Sequence, residues 1–172
     1  ADPLAVLRNA RATCSTVTHD PDADTRLADR IALLREGELV QLAAPEVLYR
    51  APRDIGVARF FCELNEVPGS VSGGQVYTPL GAFAAPAGLA DGAAVVAIRP
   101  QGLGFTRGTG RVQGRVIDRR FLGEVDLLEV IIEGLERPLV ARVRPGGDLA
   151  RGTEVGIDVD PAEVLVFAAS GS

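Results

Sequence analysis

The rhythm of apolar and polar positions changes near residue 63. Before it the pattern is mixed. Leu4 and Leu7, followed by Arg8 and Arg11, stand at helical spacing over 4–12. Thr13–Thr18 is β-branched and predicts a strand. Asp20-Pro21 then reads as a helix start, with Asp as N-cap, Pro at the first helical position, and Asp22 and Asp24 in the first turn. That helix runs to about Asp29 and turns Ala23, Leu27 and Ala28 to one face. Ile31–Arg35, Glu36-Gly37 and Glu38–Leu42 predict a hairpin. Pro45 opens a short helix over 46–50, and Asp54 caps another over 55–61 that buries Val57, Phe60 and Phe61.

After residue 63 the pattern is short β-branched runs between Gly and Pro. Strands are predicted over 70–72, 75–78, 93–99, 110–121, 125–132, 139–143, 154–160 and 164–167. Gly73-Gly74, Gly108-Thr109-Gly110, Pro145-Gly146-Gly147 and Asp160-Pro161 punctuate them. Many short strands with regular turns predict a small sandwich or barrel. The fold class is α+β, with a mixed region over 1–62 and an all-β region over 63–172.

Composition removes several chemistries. The chain has 172 residues and a net charge of −5, and all 18 of its cations are Arg. With no Lys it contains no Walker A lysine and no Schiff-base lysine. One His and two distant Cys, Cys14 and Cys62, do not make a zinc set or a C-x-x-C pair. Asp20, Asp22 and Asp24 fit capping and the helix dipole better than a metal site, so no metal is expected. Asp29-Arg30 is expected to form a local ion pair. Gly102–Gly114 does not fit G-x-G-x-x-G and reads as a turn. Arg119-Arg120-Phe121 is a basic–aromatic cluster, but both regions are net acidic, so nucleic acid is not an expected partner and Phe121 is expected in the core. No apolar run is long enough to cross a bilayer as a helix, and the absence of a secretory h-region predicts a cytoplasmic protein.

One succession carries more information than any of these. Val17-Thr18-His19-Asp20 is followed by Leu27-Ala28-Asp29-Arg30-Ile31, Arg35-Glu36-Gly37-Glu38-Leu39-Val40-Gln41, Ala44-Pro45-Glu46-Val47-Leu48-Tyr49 and Val57-Ala58-Arg59-Phe60-Phe61. It resembles the C-terminal part of the nucleotide-binding subunit of ABC importers. Asn65-Glu66-Val67-Pro68-Gly69, Ile98-Arg99-Pro100 and Arg120-Phe121-Leu122-Gly123-Glu124 are similar to the accessory TOBE domain of these subunits, an OB-like β-fold, with a flavour nearest the ferric-iron importer branch. Two positions depart from that branch: Gln101 stands where Glu is usual, and Ala44 where a capping Thr or Ser is usual.

The resemblance implies a division into the tail of an ABC ATPase α/β core over 1–62 and an all-β OB-like TOBE barrel over 63–172. It implies that His19 is the switch histidine, which in an intact subunit hydrogen-bonds the γ-phosphate and orients water. ATP and Mg²⁺ are the implied cofactors of that intact subunit, and a second copy and membrane permease subunits its partners, on the inner face of the cell membrane. The Gly-rich phosphate loop, the Leu-Ser-Gly-Gly motif and the Asp-Glu pair are not in this sequence. The chain is therefore expected to be a fragment or truncated product that binds no cofactor and hydrolyses no ATP alone, its β region serving dimerisation and regulation. The competing reading is a non-enzymatic module sensing a small oxyanion or metal complex, with Arg99, Arg119 and Arg120 as first anion candidates.

Overall fold

The computed structural model describes residues 15, 17, 28–108, 110 and 112–169. The chain divides into two compact units, Ala1–Cys62 and Glu63–Ser172. Of the predicted elements over 4–12, 13–18 and 20–29 only residues 15, 17, 28 and 29 are described, none of them in a helix or strand, and the rest lie outside the described residues.

In the first unit, β1 (Ile31–Arg35) and β2 (Glu38–Ala43) form an antiparallel hairpin. Glu36 and Gly37 both take positive φ, 52° and 83°, the geometry a two-residue hairpin turn requires. A register shift at Leu33/Leu34 leaves Ile31 and Leu33 pointing inward. Pro45 opens α1 (Pro45–Arg50), whose N-cap Ala44 makes no side-chain cap. Asp54 caps α2 (Ile55–Phe61) by accepting from Val57 N at 2.9 Å. Gln41 stitches the intervening loop to β2: its Nε2 donates to Ala51 O and its Oε1 accepts from Arg53 N. Ile31, Leu33, Leu48 and Val57 form the core, and Phe60 and Phe61, edge-on to each other with ring centroids 5.2 Å apart, pack against it. The described part of this unit holds two short helices and one hairpin, and by itself displays no layered α/β core. Asp29 and Arg30 are exposed, and no ion pair joins them.

The described residues of the second unit form ten strands: β3 (Asn65–Ser72), β4 (Gln75–Thr78), β5 (Gly81–Ala84), β6 (Gly92–Ile98), β7 (Leu103–Arg107), β8 (Val112–Phe121), β9 (Asp126–Ile132), β10 (Leu139–Val143), β11 (Glu154–Val159) and β12 (Val164–Ala168). They build two five-stranded antiparallel sheets, ordered β12-β6-β3-β4-β5 and β10-β9-β8-β11-β7. The protein is therefore mostly β, with each sheet a half-barrel, in keeping with an OB-like fold. The second sheet curls until its edge strands β10 and β7 approach each other, and a 3-10 turn, Pro100–Gly102, lies against β10.

One core serves both sheets. Val67, Val71, Val76, Val96 and Ile98 come from one, Val116, Leu128, Val130, Leu139 and Val155 from the other. Burial of each such side chain is worth roughly 1.5–3 kcal/mol. Two glycines are fixed by close approach. A Cβ on Gly114 would meet Val130, Ile132 and Ile157 at 2.8–2.9 Å. A Cβ on Gly156 would meet the Gly110 backbone at 2.7 Å.

Two strands were not foreseen. β5 (Gly-Ala-Phe-Ala) has no β-branched residue, and β7 falls within the Gly-rich run read as a turn, of which only the part around Gly108 (φ 93°) turns. β3 also starts five residues earlier than its predicted core. It passes through Pro68, whose backbone pairs with Val95 while β4 reaches only to Ser70, so the missing N–H is not needed by a second neighbour.

Candidate functional site

His19, the one residue assigned a catalytic role from the sequence, lies outside the described residues, as do Cys14, Asp20, Asp22 and Asp24. Among the described residues there is no group of His, Cys, Asp and Glu able to hold a metal. Cys62 is half-buried, and its Sγ donates to Ala58 O at 3.5 Å. No helix among the described residues is long and apolar enough to cross a membrane.

In the first unit the best-defined polar arrangement joins hairpin to helix. Arg35 Nη1 and Nη2 reach Asp54 Oδ2 and Oδ1 at 3.1 and 2.9 Å. The hydrogen bond from Arg35 holds the Asp54 carboxyl below the usual carboxylate range; backbone N–H groups of Val57 and Gly56 act in the same direction, against partial burial. One carboxylate thus caps α2 and ties it to the end of β1.

The three anion candidates do not converge on a free site, because each guanidinium already faces a carboxylate. Arg99 is 3% exposed, and its Nη1 lies 3.2 Å from Glu163 Oε2; the Nε2 of Gln101 donates to the same oxygen at 3.1 Å. Arg119 donates from Nη2 to Asp126 Oδ2 at 2.7 Å and from Nη1 to Gly147 O at 2.9 Å. Arg120 donates to Asp118 at 2.9 Å and to Glu129 at 2.8 Å. Its bond holds the Asp118 carboxyl below the usual range. The split between Arg119 and Arg120 comes from a bulge at Val116/Asp118, where Ile117 has no partner in β9. The bulge shifts the alternation by one, so Arg119 shares a face with Asp126 and Leu128 while Arg120 shares the other with Asp118 and Glu129. Phe121, expected in the core, is instead 70% exposed. It closes β8 beyond the packed layers, beside exposed Leu122 in the hairpin turn.

Three residues with structural weight were not singled out from the sequence. Asp126, 1% exposed, stands in phase with buried Leu128, Val130 and Ile132, and that alternation was the available signal. Glu163 collects Arg99 and Gln101 across a sequence distance that no local pattern reveals. Asn65, 6% exposed, donates from Nδ2 to Val140 O at 2.8 Å and Ile98 O at 3.2 Å, and accepts at Oδ1 from Val140 N at 2.6 Å. It links the two sheets beside an open cleft of about 250 Å³ lined by Glu63, Leu64, Pro100 and Val140.

Residues 96–167, which lie within the second unit, match the family model of the TOBE domain. Over 162 residues the chain is 32% identical to the Fe(3+) ions import ATP-binding protein FbpC of Streptomyces coelicolor, which covers 92% of this chain and 45% of that protein. It is 41% identical over 85 residues to the sulfate/thiosulfate import ATP-binding protein CysA of Caulobacter vibrioides (49% and 24%), and 46% identical over 74 residues to the spermidine/putrescine import ATP-binding protein PotA of Pseudomonas fluorescens (43% and 19%). The chain spans less than half the length of these curated relatives. It is homologous to the C-terminal region of the ATP-binding subunits of ABC importers and contains their TOBE domain.

Proposed function

We propose that this chain acts as the C-terminal portion of the energy-coupling, ATP-binding subunit of an ABC importer, with ferric iron as the transported substrate. What carries the reading is the reach of the similarity: the match to an iron-import ATP-binding protein extends over 92% of the chain, well beyond the TOBE match over 96–167. On this reading residues 1–62 are the tail of the ATPase α/β core and 63–172 the accessory domain. His19 is the switch histidine, and donates a hydrogen bond toward the γ-phosphate when a phosphate-binding half is present. ATP and Mg²⁺ belong to that complete subunit. The TOBE unit supports pairing with a second copy, and the subunit works against membrane permease partners on the cytoplasmic face. The pairing of Arg99, Arg119 and Arg120 with carboxylates favours a structural use of these cations over an oxyanion site.

The chain as it stands contains no Lys, and ATP hydrolysis by it alone is expected at background. Magnesium-dependent turnover by the pure chain would contradict this. The substrate reading is tested by a chimera in which residues 7–172 replace the C-terminal part of one of the matched iron-import proteins, in cells lacking that protein. Ferric-iron uptake is the expected result; a folded, ATP-binding chimera that restores no uptake would count against it.

A further inference from the structure

The chain enters the second unit along the open edge of β10. That edge has β9 on one side only. Val140 turns its backbone N–H and C=O outward, and the side-chain amide of Asn65 answers both, at 2.6 and 2.8 Å. A carboxamide presents donor and acceptor in the same plane, so toward Val140 it takes the place of a neighbouring strand's peptide group, while Nδ2 also donates to Ile98 O. Two residues along β10, Arg142 shares the alternation of Val140. Its Nη2 reaches Glu63 Oε2 at 3.2 Å, two residues before Asn65. The pairs Asn65/Val140 and Glu63/Arg142 therefore run antiparallel, and the open cleft is lined by Glu63, Leu64 and Val140 of the same stretch together with Pro100.

We infer that Glu63–Asn65 is a strap, zipped to the edge of β10 by side chains in place of backbone bonds, with one permanent and one releasable fastening. Asn65 is the permanent one. It is buried, and its loss leaves two backbone groups of Val140 and the carbonyl of Ile98 without that partner. Glu63/Arg142 is the releasable one. Its side chains are 69% and 49% exposed, in the range where solvent and salt screen an ion pair. Residues 63 and 64 detach and redock while Asn65 holds, so the strap acts as the pivot by which the chain leaves the second unit. The proposal does not depend on the importer reading, since no nucleotide or transport step enters it.

The test is backbone-amide NMR on the full chain. In Arg142→Gln, and in the unaltered chain at about 1 M salt, where the Debye length falls to about 3 Å, the amides of Glu63 and Leu64 are expected to lose order. Their order parameters should drop from about 0.85 to below about 0.6, while Asn65 and Val140 stay rigid. In Asn65→Ala the Val140 amide is expected to exchange with solvent about tenfold faster. Two results would overturn the proposal: unchanged order at 63 and 64 in Arg142→Gln and at high salt, or loss of order that spreads equally to Asn65 and Val140. The Arg142→Gln and salt measurements decide the matter even if Asn65→Ala does not fold.

Discussion

Arg119 and Asp126 form a charge pair across β8 and β9, with Nη2 and Oδ2 2.7 Å apart and the carboxylate 1% exposed. Only the bulge in β8 allows it, because an unbroken alternation would have put Arg119 on the opposite face. Asp126 Oδ1 has no hydrogen-bond partner among the described residues, so the carboxylate depends on Arg119. Removing one partner leaves a buried charge unpaired, which costs about 3–5 kcal/mol. Arg119→Ala is expected to lower the unfolding free energy by that order, measured by urea titration followed by far-UV circular dichroism. The double variant Arg119→Leu, Asp126→Leu is expected to lose less than the single one. Equal loss would mean that the pair is not acting as a unit.

Gln101 and Arg99 share one oxygen of Glu163. Replacing Gln101 by Glu exchanges a donor for a second carboxylate against the same acceptor, a like-charge contact beside a single guanidinium. Gln101→Glu is expected to be destabilised at neutral pH and to recover as pH falls and one carboxyl is protonated. Thermal midpoints measured from neutral to acid pH check this; a midpoint equal to the unaltered chain at neutral pH would contradict it.

Asp54 sets the acid response of the first unit. Its folded pKa lies below its unfolded value of about 3.9. A depressed carboxyl contributes stability above the unfolded pKa, and that contribution is lost as pH falls through the folded value. The helical signal of α1 and α2 is thus expected to weaken below about pH 4. The site is half-exposed, and solvent screening keeps the effect modest. Asp54→Asn retains an N-cap oxygen but removes the titration, so its loss of signal in that window should be smaller. An identical acid profile in the two proteins would contradict this.

Gly156 is required by space rather than by turning. The Gly110 backbone stands 2.7 Å from where its Cβ would be, and backbone cannot swing aside as a side chain can. Gly156→Ala is expected to cost about 1–3 kcal/mol by urea unfolding. A cost under about 0.5 kcal/mol would show that β11 and the Gly110 loop shift freely.

The hairpin and the two described helices of the first unit were legible because local rules agree there: a Glu-Gly turn, Pro at a helix start and Asp at an N-cap. The alternating strands β9, β10 and β11 were legible for the same reason. β5 and β7 were not, since Gly and Ala carry no strand propensity and these strands exist through their neighbours. The exposure of Phe121 was missed because a bulge and a strand end decide it, and neither leaves a local trace. Asn65 and Glu163 act through partners 75 and 64 residues away, which no single-sequence pattern encodes. Asp126 was the one readable omission, a charge in step with buried aliphatics.

On the proposed function, His19 serves phosphoryl transfer once a phosphate-binding half stands beside it. Steady-state ATP turnover by the chimera that carries residues 7–172, with and without His19→Ala, tests it most directly. A fall of about a hundredfold or more with ATP binding retained is expected. Equal turnover in the two proteins would contradict it.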